Sequence, residues 1–180
     1  MHKYFGIVTL LLALTGCTGL PKGVKPVDGL DRSRYLGTWY EIARLPHSFE
    51  EGLSRVTAEY RLNDDGSIAV INRGYRASEG KWEEANGRAV FVDEPDYGHL
   101  KVSFFGPFYS SYVIFDLDED YQWVYVSGFN HNYLWLLSRT PTVSDTAIAR
   151  FKDAAAARGF DIDKLIMVDQ QAADVAGQGE

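Results

Sequence analysis

Residues 109–117 read YSSYVIFDL and residues 133–139 read YLWLLSR, and the alternation in these two runs decides the fold. In the first, Tyr109, Ser111, Val113, Phe115 and Leu117 share one face, while Ser110, Tyr112, Ile114 and Asp116 share the other. In the second, Tyr133, Trp135, Leu137 and Arg139 alternate with Leu134, Leu136 and Ser138. A period of two belongs to a pleated strand, because successive side chains point to opposite faces of the sheet. Both faces of these strands are largely apolar, so both need cover. A barrel interior covers one face and a helix packed outside covers the other.

Outward from these two runs, short β-branched and aromatic segments recur at 36–45, 55–62, 67–74, 82–92, 99–105 and 121–129, and with 109–117 and 132–139 they make eight. Turn-forming residues separate them: Asn63-Asp64-Asp65-Gly66, Asp93-Glu94-Pro95-Asp96, 116–120 and Asn130-His131-Asn132. Strands at this spacing predict an all-β sandwich or barrel. Asn86-Gly87 is the one place where a candidate strand could be split. One helix follows the last strand: Ser144 suits the N-cap, Asp145 the positive end of the helix, and Gly159 the C′ position. Its inner face is Ile148, Phe151 and Ala155. The run Lys164-Leu165-Ile166-Met167-Val168 can add a further strand after it.

With 180 residues the chain has room for one domain. Its 18 basic against 25 acidic residues give a net charge of −7, which argues against nucleic acid as a partner, since phosphate binders concentrate positive charge. An apolar fraction of 46% excludes wholesale disorder. The only cysteine is Cys17, so neither an intramolecular disulfide nor a Cys-based zinc cluster can form, and no metal site is expected. His47, His99 and His131 are scattered near turns, without H-E-x-x-H spacing. No G-x-S-x-G nucleophile elbow and no phosphate-cradling glycine loop occurs. No catalytic residue and no cofactor follow from these patterns. Glu41, on Trp39's face of the first strand, reads as a carboxylate with a structural partner.

Residues 1–16, MHKYFGIVTLLLALTG, place His2 and Lys3 before an apolar run from Tyr4 to Leu14. As a helix that run is about 16 Å long, against a hydrocarbon core of about 30 Å. It is too short to span and has the layout of an export signal. Leu14-Thr15-Gly16-Cys17 resembles the lipobox of bacterial lipoproteins, which implies cleavage before Cys17 and acylation of that cysteine. Thr18, where some of these proteins carry Asp, resembles an outer-membrane address. The expected organisation is a signal peptide at 1–16, a lipidated N-terminus and tether at 17–30, a folded domain at 31–171 and a flexible tail at 172–180. Loss of Lys3 with the leader takes the net charge to −8.

Three motifs in order extend this. Gly37-Thr38-Trp39 has the G-x-W form on the first strand, Asp120-Tyr121 stands where a T-D-Y-like motif belongs with Glu119 in place of its Thr, and Arg139 precedes the helix. Together they resemble the lipocalins, and closely the bacterial outer-membrane lipoproteins of that family. The resemblance runs from the lipobox to about Gln170. It implies an eight-stranded antiparallel up-and-down barrel with one C-terminal helix outside. Trp39 then plugs the closed end and Arg139 lies across the indole, with Gly37, Asp120 and Tyr121 as structural positions. The resemblance further implies a fatty acid or lysophospholipid as ligand, held for membrane lipid storage or transport. The inward faces name Val102, Phe104, Tyr109, Ser111, Val113, Tyr133 and Trp135 as the lining, and Phe49, in the long loop from Leu45 to Ser54, can close over the mouth. A thiol-dependent isomerase exists in the family, but Cys17 sits at the processed terminus, leaving no thiol for the barrel. Two other readings stand beside this one: a filled barrel serving as an interaction or structural module, and an integral outer-membrane barrel, which would need an apolar outside. Self-association as a homodimer stays open.

Overall fold

A computed structural model describes residues 18–171 of the chain. Residues 1–17, with the expected signal peptide and Cys17, and residues 172–180, the expected tail, lie outside the described residues. The elements, in order, are α1 (Arg32–Tyr35), β1 (Gly37–Arg44), β2 (Leu53–Leu62), β3 (Ile68–Arg76), β4 (Lys81–Phe91), β5 (His99–Phe105), β6 (Phe108–Leu117), β7 (Trp123–Ser127), β8 (Leu134–Ser138), α2 (Asp145–Ala156) and β9 (Ile166–Met167). Each of the eight expected strands is present. All neighbours are antiparallel from β2 through β8 to β1, and β1 pairs back onto β2, closing the barrel. Asn86-Gly87 does not interrupt β4: the pair faces Ile71 and Val70 in unbroken register. Glycine is needed there for close approach, since a Cβ at Gly87 would stand 2.8 Å from the Phe104 ring.

Two apolar clusters share the wall. The inner one holds Trp39, Ala58, Tyr60, Ile68, Val70, Ala89, Leu100, Ile114, Val124, Val126 and Leu137. The outer one holds Ile42, Val113, Phe115, Tyr125, Leu134 and Leu136 under Phe151 and Ala155 of α2. Ser144 caps α2 by accepting a hydrogen bond from the Ala147 amide at 3.2 Å. Phe151 meets the edge of Tyr125 at 5.0 Å, Ile148 is half-buried, and the chain leaves the helix through Gly159 at φ +88°. The extra strand forms as β9, two residues long, against Ala43 and Arg44.

Two closures differ from a simple cylinder. Near Arg44, β1 and β2 separate, and the gap is filled by the C-terminal segment: Gln170 donates to the carbonyls of Glu41 and Val56 at 2.6 and 2.9 Å. On the opposite side β4 pairs with β5 only over Arg88–Phe91, so Lys81–Gly87 pairs on one side alone.

Residues 18–30, expected as a tether, lie along the outer wall. Val24 and Leu30 are buried. The Val27 amide donates to the Ile114 carbonyl at 2.9 Å, and the Gly98 amide donates to Val27 at 2.8 Å. Pro21 and Pro26 rule out regular strand pairing, but the apolar residues between them dock. Helix α1, which has only four residues and no visible period, follows an Asp31 cap that accepts from the Ser33 and Arg34 amides.

Candidate functional site

The up-and-down order puts the β2–β3, β4–β5 and β6–β7 turns at one end with α1, and the other four turns at the opposite end. The α1 end is sealed. Trp39 is fully buried there, its indole N–H donating to the Tyr35 carbonyl at 2.8 Å. The Arg139 guanidinium lies 3.8 Å from the Trp39 ring centroid. It also donates to the carbonyls of Arg34, Leu36 and Thr38 at 2.6–2.9 Å. Gly37, at φ +92°, passes under Arg139, where a Cβ would stand 3.5 Å from Nη1. Tyr121 supports the seal, its hydroxyl accepting from the Asp31 amide at 2.8 Å while Arg34 stacks on its ring. Asp120 lies exposed in the same β6–β7 turn and accepts from the Gln122 side chain.

Above the seal the barrel carries a polar interior that the sequence patterns did not single out. The hydroxyls of Tyr35 and Tyr112 are 2.5 Å apart, and those of Tyr60 and Tyr112 2.9 Å apart. Burial pushes all three phenols up, so they stay protonated. Closer to the mouth, Arg44 Nη1 bonds Glu41 at 2.6 Å and Nη2 donates to the Glu50 carbonyl at 2.8 Å. Trp135 Nε1 donates to the Glu50 carboxylate at 3.2 Å. Two carboxylates and one guanidinium are buried together. Burial first, and the Glu50 charge second, push the Glu41 carboxyl well above its ordinary range, outweighing the opposite pull of Arg44.

The direction of that shift sets a pH dependence. Glu41 holds its proton to higher pH in the fold than in the unfolded chain, which releases it above its ordinary value of 4.5. Stability is therefore fullest below that value and is lost as pH rises through the raised folded pKa. Glu41→Gln, which needs no proton, is expected to hold its melting temperature over that window while the unsubstituted chain declines. Parallel melting-temperature profiles would refute the assignment.

The expected lining residues divide by face. Val102, Phe104 and Trp135 join the inner cluster, each partly buried. Tyr133 stacks on Trp135 at 6.1 Å and on Phe49 at 6.3 Å, and Phe49 stacks on His47 at 3.8 Å, so these rings gather at the mouth. Val113 lies in the outer cluster under α2. Ser111 and Tyr109, on the same face, also point outward: Ser111 Oγ donates to the Gly19 carbonyl at 2.8 Å, and the Tyr109 ring carries the Lys101 ammonium. For β6 the inward set is instead Tyr112 and Ile114, and a bulge between Ile114 and Asp116 returns Leu117 to the inside. A period of two defines two faces without saying which is inner, and a bulge exchanges them partway along the strand.

The histidines do not assemble. His99 is buried on the outer wall beside Ser111 at 3.2 Å, and burial lowers its pKa. His131 Nε2 bridges the carbonyls of Lys22 and Arg158. His47 sits at the mouth with Nε2 2.9 Å from Glu50, off the hydrogen-bonding direction. Among the described residues no group of His, Cys, Asp and Glu could hold a metal ion.

Comparison with known proteins matches residues 30–170 to a model described as a lipocalin-like domain. The outer membrane lipoprotein Blc of Vibrio cholerae is 55% identical over 172 residues, covering 95% of this chain and 100% of that protein. Its namesake in Escherichia coli K12 is 50% identical over 150 residues, 83% and 85% of the two chains. Insecticyanin from the tobacco hornworm Manduca sexta superposes with a TM-score of 0.66 at 21% identity, covering 84% of this chain and 86% of that one, a likeness of fold alone.

Proposed function

The chain belongs to the lipocalin family, and from that membership we propose a lipid-anchored binding protein, not an enzyme, that holds a fatty acid or lysophospholipid inside the barrel. Outer membrane lipoproteins are its relatives at about half identity or more, which supports an outer-membrane address facing the periplasm, with acylated Cys17 as the anchor and lipid storage or transport as the role.

One observation carries the reading. Inward side chains near the sealed end, Trp39, Val124 and Leu137, are dry, whereas Tyr112, Val102, Phe104 and Trp135 on the same inner surface remain partly accessible. An inward residue of this sheet meets solvent through a hollow that opens at the mouth or through the gap beside Lys81–Gly87 of β4. On the wall from β2 to β4 the inward residues Ala58 and Ala89 are small. Among the described residues the deep interior carries no spare cation. Arg44 is committed to Glu41 and two carbonyls, Arg76 is paired with Glu83, part-buried at the mouth end, and Arg73 stacks on the outer Trp82. The acyl chain therefore enters first, and the polar end stays at the mouth beside His47 and Tyr133.

The test is native mass spectrometry of the purified chain for copurified lipid, followed by an acyl-length series in a binding assay. Each buried CH₂ is worth about 0.8 kcal/mol, or roughly fourfold in affinity, until the hollow is full. Affinity that ignores chain length, together with no copurified lipid, would assign the barrel to the filled, interaction-module class.

A further inference from the structure

The large apolar side chains exposed to solvent are unevenly placed. Phe49, Phe105 and Phe108 stand at the mouth, 57–82% exposed, and Leu20 and Trp82 are exposed on the same half. The sealed end exposes only Leu62 and Val92 among the described residues. Phe105 and Phe108 pair across the β5–β6 tip, Phe105-Gly106-Pro107-Phe108, and project two rings into water. Soluble surfaces rarely keep such a concentration without a partner.

The path of the N-terminal segment identifies the partner. Gly19 is fastened to Ser111 Oγ at 2.8 Å, and Ser111 is three strand residues, about 10 Å, from Phe108. From Gly19 the chain runs toward the sealed end, through Val27 on Ile114 to Leu30 on Asp96. In the other direction only Thr18 separates Gly19 from Cys17, and two residues span at most about 7 Å. The wall thus holds the start of the folded chain beside the aromatic tip, leaving almost no free tether between an acylated Cys17 and the barrel mouth.

We propose that the Phe105–Phe108 tip, with Leu20 and Phe49, is a membrane-contact surface that seats the barrel mouth against the acyl region of the bilayer carrying the anchor. The inference rests on the reading of Cys17 as lipidated. Behind the tip, Lys101 lies over Tyr109 at 5.3 Å, an arrangement suited to headgroup depth, where long cationic and aromatic side chains are favoured. The unpaired stretch of β4 adjoins the same hairpin, so the wall nearest the lipid is also the one with a gap. A ligand drawn from the bilayer then moves from one apolar surface to another without crossing bulk water.

The test uses the full chain with its native N-terminus, reconstituted in vesicles of phosphatidylethanolamine and phosphatidylglycerol. An environment-sensitive fluorophore is placed at Gly106→Cys, where an added Cβ meets nothing within 4 Å, and in a second sample at Leu62→Cys at the sealed end. The Gly106 label is expected to shift to the blue and lose intensity to spin-labelled lipid, the Leu62 label to do neither, and Phe105→Ser with Phe108→Ser to abolish the shift. Two labels that behave alike overturn the docking, as does a Gly106 shift that follows protein concentration without vesicles, which assigns the surface to a second copy. The mass of the mature N-terminal peptide reports the anchor separately. A peptide without acyl mass overturns the anchor reading alone, and docking is then judged with the same two labels in Cys17→Ala on added vesicles.

Discussion

Arg139→Ala is expected to destabilise the fold by about 3 kcal/mol, summing a cation–π contact of roughly 0.5–2 kcal/mol with charge-assisted hydrogen bonds discounted for their partial exposure. The side chain ties the end of β8 to α1 and to the start of β1. Its guanidinium, on the residue after β8, covers the Trp39 indole and gathers the carbonyls of Arg34, Leu36 and Thr38. Two of these belong to the end of α1, where the last carbonyls of a helix lack internal partners. Removing the fork exposes the ring that plugs the barrel and releases the α1 carbonyls together. For a domain of this size the loss corresponds to about 10 °C in melting temperature. Arg139→Lys is expected to recover little, because a single ammonium cannot stack flat on the indole and reach three acceptors. A melting temperature within 2 °C of the unsubstituted chain (under about 1 kcal/mol) would remove Arg139 from its place as keystone of the seal.

Cys17→Ala is expected to move the chain completely from the membrane fraction to the soluble one. No described helix is long and apolar enough to cross a bilayer. The barrel wall does not replace one. Its outer face carries Glu59, Arg61, Arg73, Glu84 and Arg88 in surface ion pairs, and its inner face is apolar at the sealed half, the reverse of a spanning barrel. On the proposed anchoring, retention rests on covalent acyl chains, of which one alone binds marginally and several bind stably. The contact made by two or three rings at the mouth is too small to hold the chain through washing. Fractionation with an alkaline wash decides it: a Cys17→Ala chain that is processed and still pellets with membranes would show that another element anchors the protein.

What could be read from the sequence follows from what period and motif encode. All eight strands and α2 with its Ser144 cap were legible, because alternation and capping chemistry are local signals, while Trp39 beneath Arg139 was legible only through the family resemblance. Which face of β6 points inward was not. Tyr109, Ser111 and Val113 form as regular a series as Tyr112 and Ile114, and Val113 is no less apolar than Ile114. The outer face is apolar only because α2 lies on it, a fact about packing that the strand itself does not carry. Glu41 was legible as a carboxylate with a structural partner, but the tyrosine hydroxyl group and the gathering of Arg44 and Glu50 around Glu41 were illegible for a related reason. Tyr35, Tyr60 and Tyr112 come from three separate elements, and only barrel closure brings their oxygens within hydrogen-bonding distance. Residues 18–30 read as a linker from their prolines and glycines, although Val24, Val27 and Leu30 dock them to the wall.

A ring of strands has no lateral edge at which another polypeptide can begin pairing, and in this ring the seam beside β1 is covered by Gln170 and β9. Lys81–Gly87 of β4 is the exception, with one row of backbone amides and carbonyls left without a neighbouring strand. Its sequence, KWEEANG, carries Lys81, Glu83 and Glu84 and ends in glycine, the kind of composition that discourages edge-to-edge growth. Resistance of the folded chain to strand-driven aggregation is therefore concentrated in seven residues. A change that removed their charges would alter colloidal behaviour while leaving the interior untouched.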